Sequence, residues 1–193
     1  MPKEVCWLYA PSVVLVLKCL ALKPRIPMQV KEETGIPWNY VNIILKKLKL
    51  IRIIICLTPD EKIGKVFCIN PETKRIVEKV LRWAGYKIEI GDLPKLNWKA
   101  YGRLCCGTCS QIKQIFMKGI SLRSRGIAIT ENNLEKELRN SDGVLTIDRS
   151  DIYRALRQIR NLGLMNPLKK KHSPLEYIPT DDALILPQFI NSH

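Results

Sequence analysis

The sequence predicts a mainly α protein with small β-hairpins, an α+β chain in which three helices followed by a hairpin occur twice. Three observations predict it. Apolar residues recur at helical spacing along most of the chain, as in Val41, Ile44, Leu45 and Leu48. Two stretches with hairpin character, 52–69 and 165–178, each follow such a helix. The charge divides evenly: residues 1–93 and residues 94–193 each hold 16 basic and 9 acidic side chains, or +7 apiece. That balance fits two basic modules rather than a basic tail on a neutral domain.

The first half reads as follows. Pro11-Ser12 opens an apolar helix over Val13 to Leu22, and Pro24 ends it. A short helix fits Met28 to Thr34, and Gly35 supplies a turn with positive φ. Pro37 stands where a first helical residue belongs, and the next helix runs from about Trp38 to Leu50. Arg52 to Leu57 is isoleucine-rich and reads as a strand; TPDEKIG (58–64) is its turn, and Lys65 to Ile69 returns. Cys56 and Cys68 fall on opposite strands, where a cross-strand disulfide is one reading and two free thiols the other. Asn70-Pro71-Glu72 starts a helix over 72–84: a capping oxygen, a proline with no N–H to lose, and an acid at the positive end.

GYKIEIGDLPKLN (85–97) holds two glycines and a proline and reads as connecting chain. The predicted organisation is therefore domain one over 1–86, a linker over 87–97 and domain two over 98–193. After Trp98 to Leu104, Thr108 and Gln111 form a capping-box pattern for a helix reaching Lys118. Thr130 caps Glu131 to Arg139, and Asp148 caps a helix to about Asn161 with Ile152, Leu156 and Ile159 inward. Residues 165–178 read as a basic hairpin. The tail from Ala183 to Ile190 fits a short helix or an extended arm equally.

With 46% apolar residues the chain can bury real cores. Its 32 Lys and Arg against 18 Asp and Glu leave +14, which favours a polyanionic partner. Seven cysteines, an odd number, with no clean leader at the N-terminus read as an intracellular, cytoplasmic protein with mostly free thiols. Val5 to Leu17 is apolar but broken by Pro11 and too short to span a bilayer, so no membrane partner is expected. Cys105, Cys106 and Cys109 form a single CxxC-like cluster without a second ligand pair, and His172 and His193 stand apart; no metal and no cofactor are expected. Cys109 at a helix start is a candidate redox-sensing thiol, though small buried side chains account for the cluster more simply. No P-loop, GxSxG or HExxH occurs, and the chain reads as a non-enzyme.

One motif carries more. VKEETGIPWNYVNIILKKLKLI (30–51) resembles the helix-turn-helix of archaeal and bacterial winged-helix regulators, the MarR-like and ArsR-like group. ICLTPDEKIGKVFCINPETKRIVEKVL (55–81) resembles the wing and last helix of the same group, so the resemblance covers about residues 12–84. Lys31 departs from it, standing where the family has a small residue. DRSDIYRALRQIRNLGLM (148–165) is similar to a second such reading helix with a Leu-Gly-Leu ending, after a longer loop, and KKKH (169–172) would be its wing tip.

What the resemblance implies is tandem winged helix-turn-helix domains that bind duplex DNA and regulate transcription. A reading helix sets its first turns against base edges while the wing reaches the backbone. In domain one the outward set is Trp38, Asn39, Tyr40, Asn42, Ile43, Lys46 and Lys47, with Lys62 on the wing. In domain two it is Arg149, Ser150, Tyr153, Arg154, Arg157 and Gln158, with Lys169, Lys170 and Lys171. Asn and Gln pair with adenine, Arg with guanine, and lysines suit phosphates. Trp38 reads equally as a core cap. The rival is a winged-helix scaffold subunit of a transcription or replication complex, acting through protein partners; RNA binding by the same faces is a third reading. Helix 72–84 is a candidate homodimer surface.

Overall fold

The computed structural model describes residues 3–106, 110–139, 146–169 and 173–191. It is mainly helical with two small antiparallel hairpins, and it divides into two compact units, Met1–Gly102 and Arg103–His193.

Unit 1 begins with α1 (Lys3–Leu8) and α2 (Pro11–Leu22), two helices separated by Tyr9 and Ala10, with the break at the Pro11 that interrupts the apolar run. Pro11 is the first residue of α2, where its missing N–H has no intrahelical partner to lose. Proline opens α3 (Pro27–Thr34) in the same way, and Gly35 closes it at φ 69°, donating its N–H to the Lys31 carbonyl. Lys31 itself is exposed. Pro37 is the capping residue of α4 (Trp38–Leu50), one place before the helix rather than inside it. Val41, Ile44, Leu45 and Leu48 of α4 are buried, the stripe that the 3.6-residue period predicts.

The hairpin that follows is shorter than expected: β1 (Ile54–Cys56) pairs with β2 (Phe67–Ile69), Ile54 opposite Ile69 and Cys56 opposite Phe67. Arg25, between α2 and α3, adds a separate antiparallel bridge to β2 by exchanging two backbone hydrogen bonds with Phe67. Asn70 caps a 3-10 turn (Pro71–Thr73) through the Glu72 N–H, and α5 (Lys74–Trp83) starts only after it. The core of unit 1 joins Val16 and Leu17 of α2, Leu45 and Leu48 of α4, Ile54, and Val77 and Leu81 of α5.

Residues 87–97, expected to be a linker, do not stand clear of unit 1. Tyr86, Ile88 and Ile90 pack against its core, and the Ile90 N–H donates to Glu78. Lys74 pairs with Asp92, holding that carboxyl below its usual range through the hydrogen bond and the charge. The boundary falls instead at 102/103, inside α6 (Trp98–Cys105). Tyr101 is fully buried in unit 1, its hydroxyl 3.1 Å from both the Pro24 carbonyl oxygen and Gln29 Oε1. Lys99 pairs with Glu61 of the β1–β2 loop at 2.9 Å. Gly102 lies so close to Gly64 that an added Cβ would collide with the Gly64 carbonyl. Composition marked 85–97 as connecting chain, but the alternation of Tyr86, Ile88 and Ile90 was the better signal.

Unit 2 repeats the order. Helix α7 (Ser110–Ser124) leads to Ile129, which bridges to Tyr177 as Arg25 bridges to Phe67. Thr130 caps α8 (Glu131–Glu137) through the Asn133 N–H; α9 (Arg149–Asn161) and the hairpin β3 (Met165–Leu168) and β4 (Glu176–Pro179) follow. Ile115, Phe116, Leu134, Ile152, Leu156 and Ile159 form its buried centre. The tail is a helix, α10 (Asp181–Asn191), with two acids in its first turn and Pro187 inside. The predicted cap at Thr108 lies outside the described residues.

Candidate nucleic-acid interface

Each unit turns one face of a 13-residue helix outward: α4 in unit 1 and α9 in unit 2. On α4 the buried stripe fixes what is left outside. Trp38 is 42% exposed, Tyr40 63% and Ile43 49%, with Asn39, Lys46 and Lys47 also exposed. Trp38 therefore stands outside the core rather than capping it. Asn42 is half-buried and its amide donates to the Trp38 carbonyl at 3.1 Å, so Asn39 is the asparagine left open on this face. Lys47 holds its ammonium 5.4 Å from the centre of the Trp7 ring, and Lys46 projects freely beside it. The first two turns of this face are neutral and partly aromatic; the lysines come later.

Charge starts at the other end on α9. Arg149 is its first residue, and Ser150, Tyr153, Arg154, Arg157 and Gln158 are all exposed. Arg154 Nη1 reaches Asp151 one turn earlier at 3.1 Å. Arg149 Nε reaches Glu135 of α8 at 2.6 Å. Glu135 is buried and was missed from sequence, where Leu134 and Leu138 alone marked the inward side of α8. Its partner is 14 residues away on another helix, so no periodicity links them. A polar pocket of about 350 Å³ lies between the start of α7 and α9, lined by Gln111, Asp151, Arg154 and Gln158 among others.

The hairpins carry the remaining candidates. Lys62 is exposed in the β1–β2 loop, directly after the acidic residues Asp60 and Glu61. Lys169 is exposed after β3; Lys170, Lys171 and His172 lie outside the described residues. On α5, the candidate dimer surface, Arg75, Ile76, Lys79, Arg82 and Trp83 are exposed, with Trp83 edge-on to Tyr9 at 4.8 Å. Three cations on one stripe repel a second copy of the same stripe.

The cysteines divide by burial. Cys19 donates to Glu33 at 3.0 Å; burial first, then the Glu33 hydrogen bond and charge, push its thiol up to about 12. Burial, with Cys56 nearby, does the same to Cys68, also to about 12. Cys68 is opposite Ile55 and Cys56 opposite Phe67, so the two sulfurs project from opposite faces of the hairpin and both are free thiols. The cross-strand disulfide reading fails on that register. Cys106 is buried and bonds the Arg103 carbonyl, Cys105 is half-buried, and Cys109 lies outside the described residues. Among the described residues no three His, Cys, Asp or Glu side chains cluster as a metal site, and no helix is long and apolar enough to cross a membrane.

No protein-family model, curated protein or solved structure matches the chain.

Proposed function

We propose that this chain is a sequence-reading duplex-DNA-binding protein, a transcriptional regulator built from tandem winged helix-turn-helix domains. One observation carries the reading. Both units set a short helix, a 13-residue helix with a polar or basic outer face, and a hairpin in the same order, and in both a residue ahead of the short helix bridges to the returning strand. In such an arrangement the long helix enters the major groove and the hairpin reaches the backbone. Asn39 and Gln158 then face adenine edges, Arg149 and Arg157 guanine edges, and Lys46, Lys62 and Lys169 phosphates.

A salt titration tests this. About six to ten phosphate contacts lower affinity by about 10³–10⁵ between about 50 and 200 mM salt. A flat response, or no binding to duplex at low salt, would end the DNA reading. Within it, Asn39→Ala weakens the preferred duplex by about 1–3 kcal/mol and random duplex little. Asn42→Ala changes the two alike.

A second reading has its own observation. Trp38, Tyr40 and Ile43 leave an uncharged, partly apolar surface on the first turns of α4, which suits a protein partner. On that scaffold reading Ile43→Glu abolishes partner capture and leaves duplex affinity unchanged.

A further inference from the structure

We propose that Arg149 is the guanine-reading residue of α9 and that Glu135, on α8, is its positioning residue. The inference rests on the reading above, in which α9 enters the major groove.

Two features of this pair run against stability taken alone. Arg149 is the first residue of α9, where the unpaired N–H groups make the helix end positive and a cation is disfavoured. Asp148 and Asp151 already supply the negative charge that this end prefers. Glu135 is 8% exposed, and a carboxylate taken out of water needs a partner that an apolar side chain at that position would not. The two helices have apolar contacts for docking, since Leu134 on α8 and Ile152 and Leu156 on α9 are buried. An ion pair is not needed to bring them together.

The geometry of the contact gives it a use. Glu135 Oε1 takes Arg149 at Nε, 2.6 Å away, while the Arg149 side chain stays 75% exposed. The contact is an ion pair at Nε, and the Nη1–Nη2 edge of the planar fork takes no part in it. That edge is the one that matches O6 and N7 of guanine, two acceptors presented side by side in the major groove. Because the carboxylate tethers the guanidinium before DNA arrives, less freedom is lost on binding. The other arginines of α9 differ. Arg154 uses Nη1 itself on Asp151, which occupies half of its fork, and Arg157 and Arg160 have no ion pair among the described residues. Arg149 is thus the arginine of α9 that is tethered at Nε, away from its Nη1–Nη2 pair.

The test selects from duplexes with a randomised core, using the full chain as wild type, Arg149→Ala, Arg149→Lys and Glu135→Gln, with a thermal melt of each. The wild type enriches a consensus containing a G·C pair. Arg149→Ala flattens the preference at that pair by roughly tenfold to a hundredfold and leaves the other positions as they were. Arg149→Lys does the same although it keeps the charge, the pairing with Glu135 and the melting temperature, because an ammonium has no fork. Glu135→Gln weakens the preference at the same pair and nowhere else. A wild-type consensus that Arg149→Lys leaves intact overturns the proposal and makes the pair a structural one. So does a Glu135→Gln variant that melts lower but keeps the full G·C preference. If the wild type enriches no consensus at all, the DNA-reading function falls first and this inference with it.

Discussion

The αL position after each long helix shows how one residue type bears on stability. In unit 2 it is Gly163, at φ 71°, and in unit 1 it is Arg52, at φ 59°, the one positive-φ residue other than glycine among those described. The surrounding hydrogen bonds correspond: Ile53 N–H to the Leu48 carbonyl, and Leu164 N–H to the Ile159 carbonyl. An L side chain in this region is strained by about 1–2 kcal/mol. Arg52→Gly is therefore expected to stabilise unit 1 by about 1 kcal/mol, and Gly163→Ala to destabilise unit 2 by a similar amount; urea midpoints measure both. The buried thiols make a second prediction. Cys19 and Cys68 ionise near 9 when unfolded and near 12 when folded, so in between the folded chain holds more protons. Their contribution to stability is full below pH 9 and falls as the pH rises toward 12. The decline in unfolding free energy above pH 9 should be shallower in Cys19→Ala and in Cys68→Ala, and an unchanged slope in both would show that burial does not hold the protons.

At the scale of elements, the parts with local causes were legible. The stripe of α4 follows from a 3.6-residue period, the start of α2 from Pro11, and the end of α3 from Gly35. What was hidden lies between elements distant in sequence. Tyr101 meets Gln29 and Pro24 across more than 70 residues, and Glu135 meets Arg149 across a loop, so neither leaves a periodic trace. The tail was ambiguous for another reason. Pro187 removes one helical hydrogen bond and argues locally against α10, while burial of Ala183, Leu186 and Ile190 favours it. The start of α6 gives the element-scale prediction. Tyr101→Phe removes a buried donor shared by the Pro24 carbonyl and Gln29 Oε1, the latter also accepting from the Ile26 N–H, and is expected to lower stability by about 1–3 kcal/mol. Gly102→Ala forces α6 away from Gly64 and is expected to lower it by about 1–3 kcal/mol as well. Both are read by denaturant unfolding of the full chain, and a neutral result for both would mean that α6 does not belong to unit 1.

For the whole molecule, the even division of charge shifts once the units are drawn where the fold draws them. Unit 1 holds 18 basic and 9 acidic residues, or +9, and unit 2 holds 14 and 9, or +5. If both units contact phosphates, Lys46→Ala and Lys169→Ala should each reduce the slope of log affinity against log salt by about 1. A slope that responds only to Lys46→Ala would confine duplex binding to unit 1. The placement of Tyr101 also bears on how such a chain can be inherited. A recombination breakpoint within 87–97, where glycine and proline mark a seam by composition, would part Tyr101 from Pro24 and Gln29. The descendant carrying residues 1–97 would keep every part of the outer face of α4 and yet have an unfilled, polar gap in its interior. Any duplication or shuffling that transmits unit 1 in working order must copy the gene at least through the codon for Gly102.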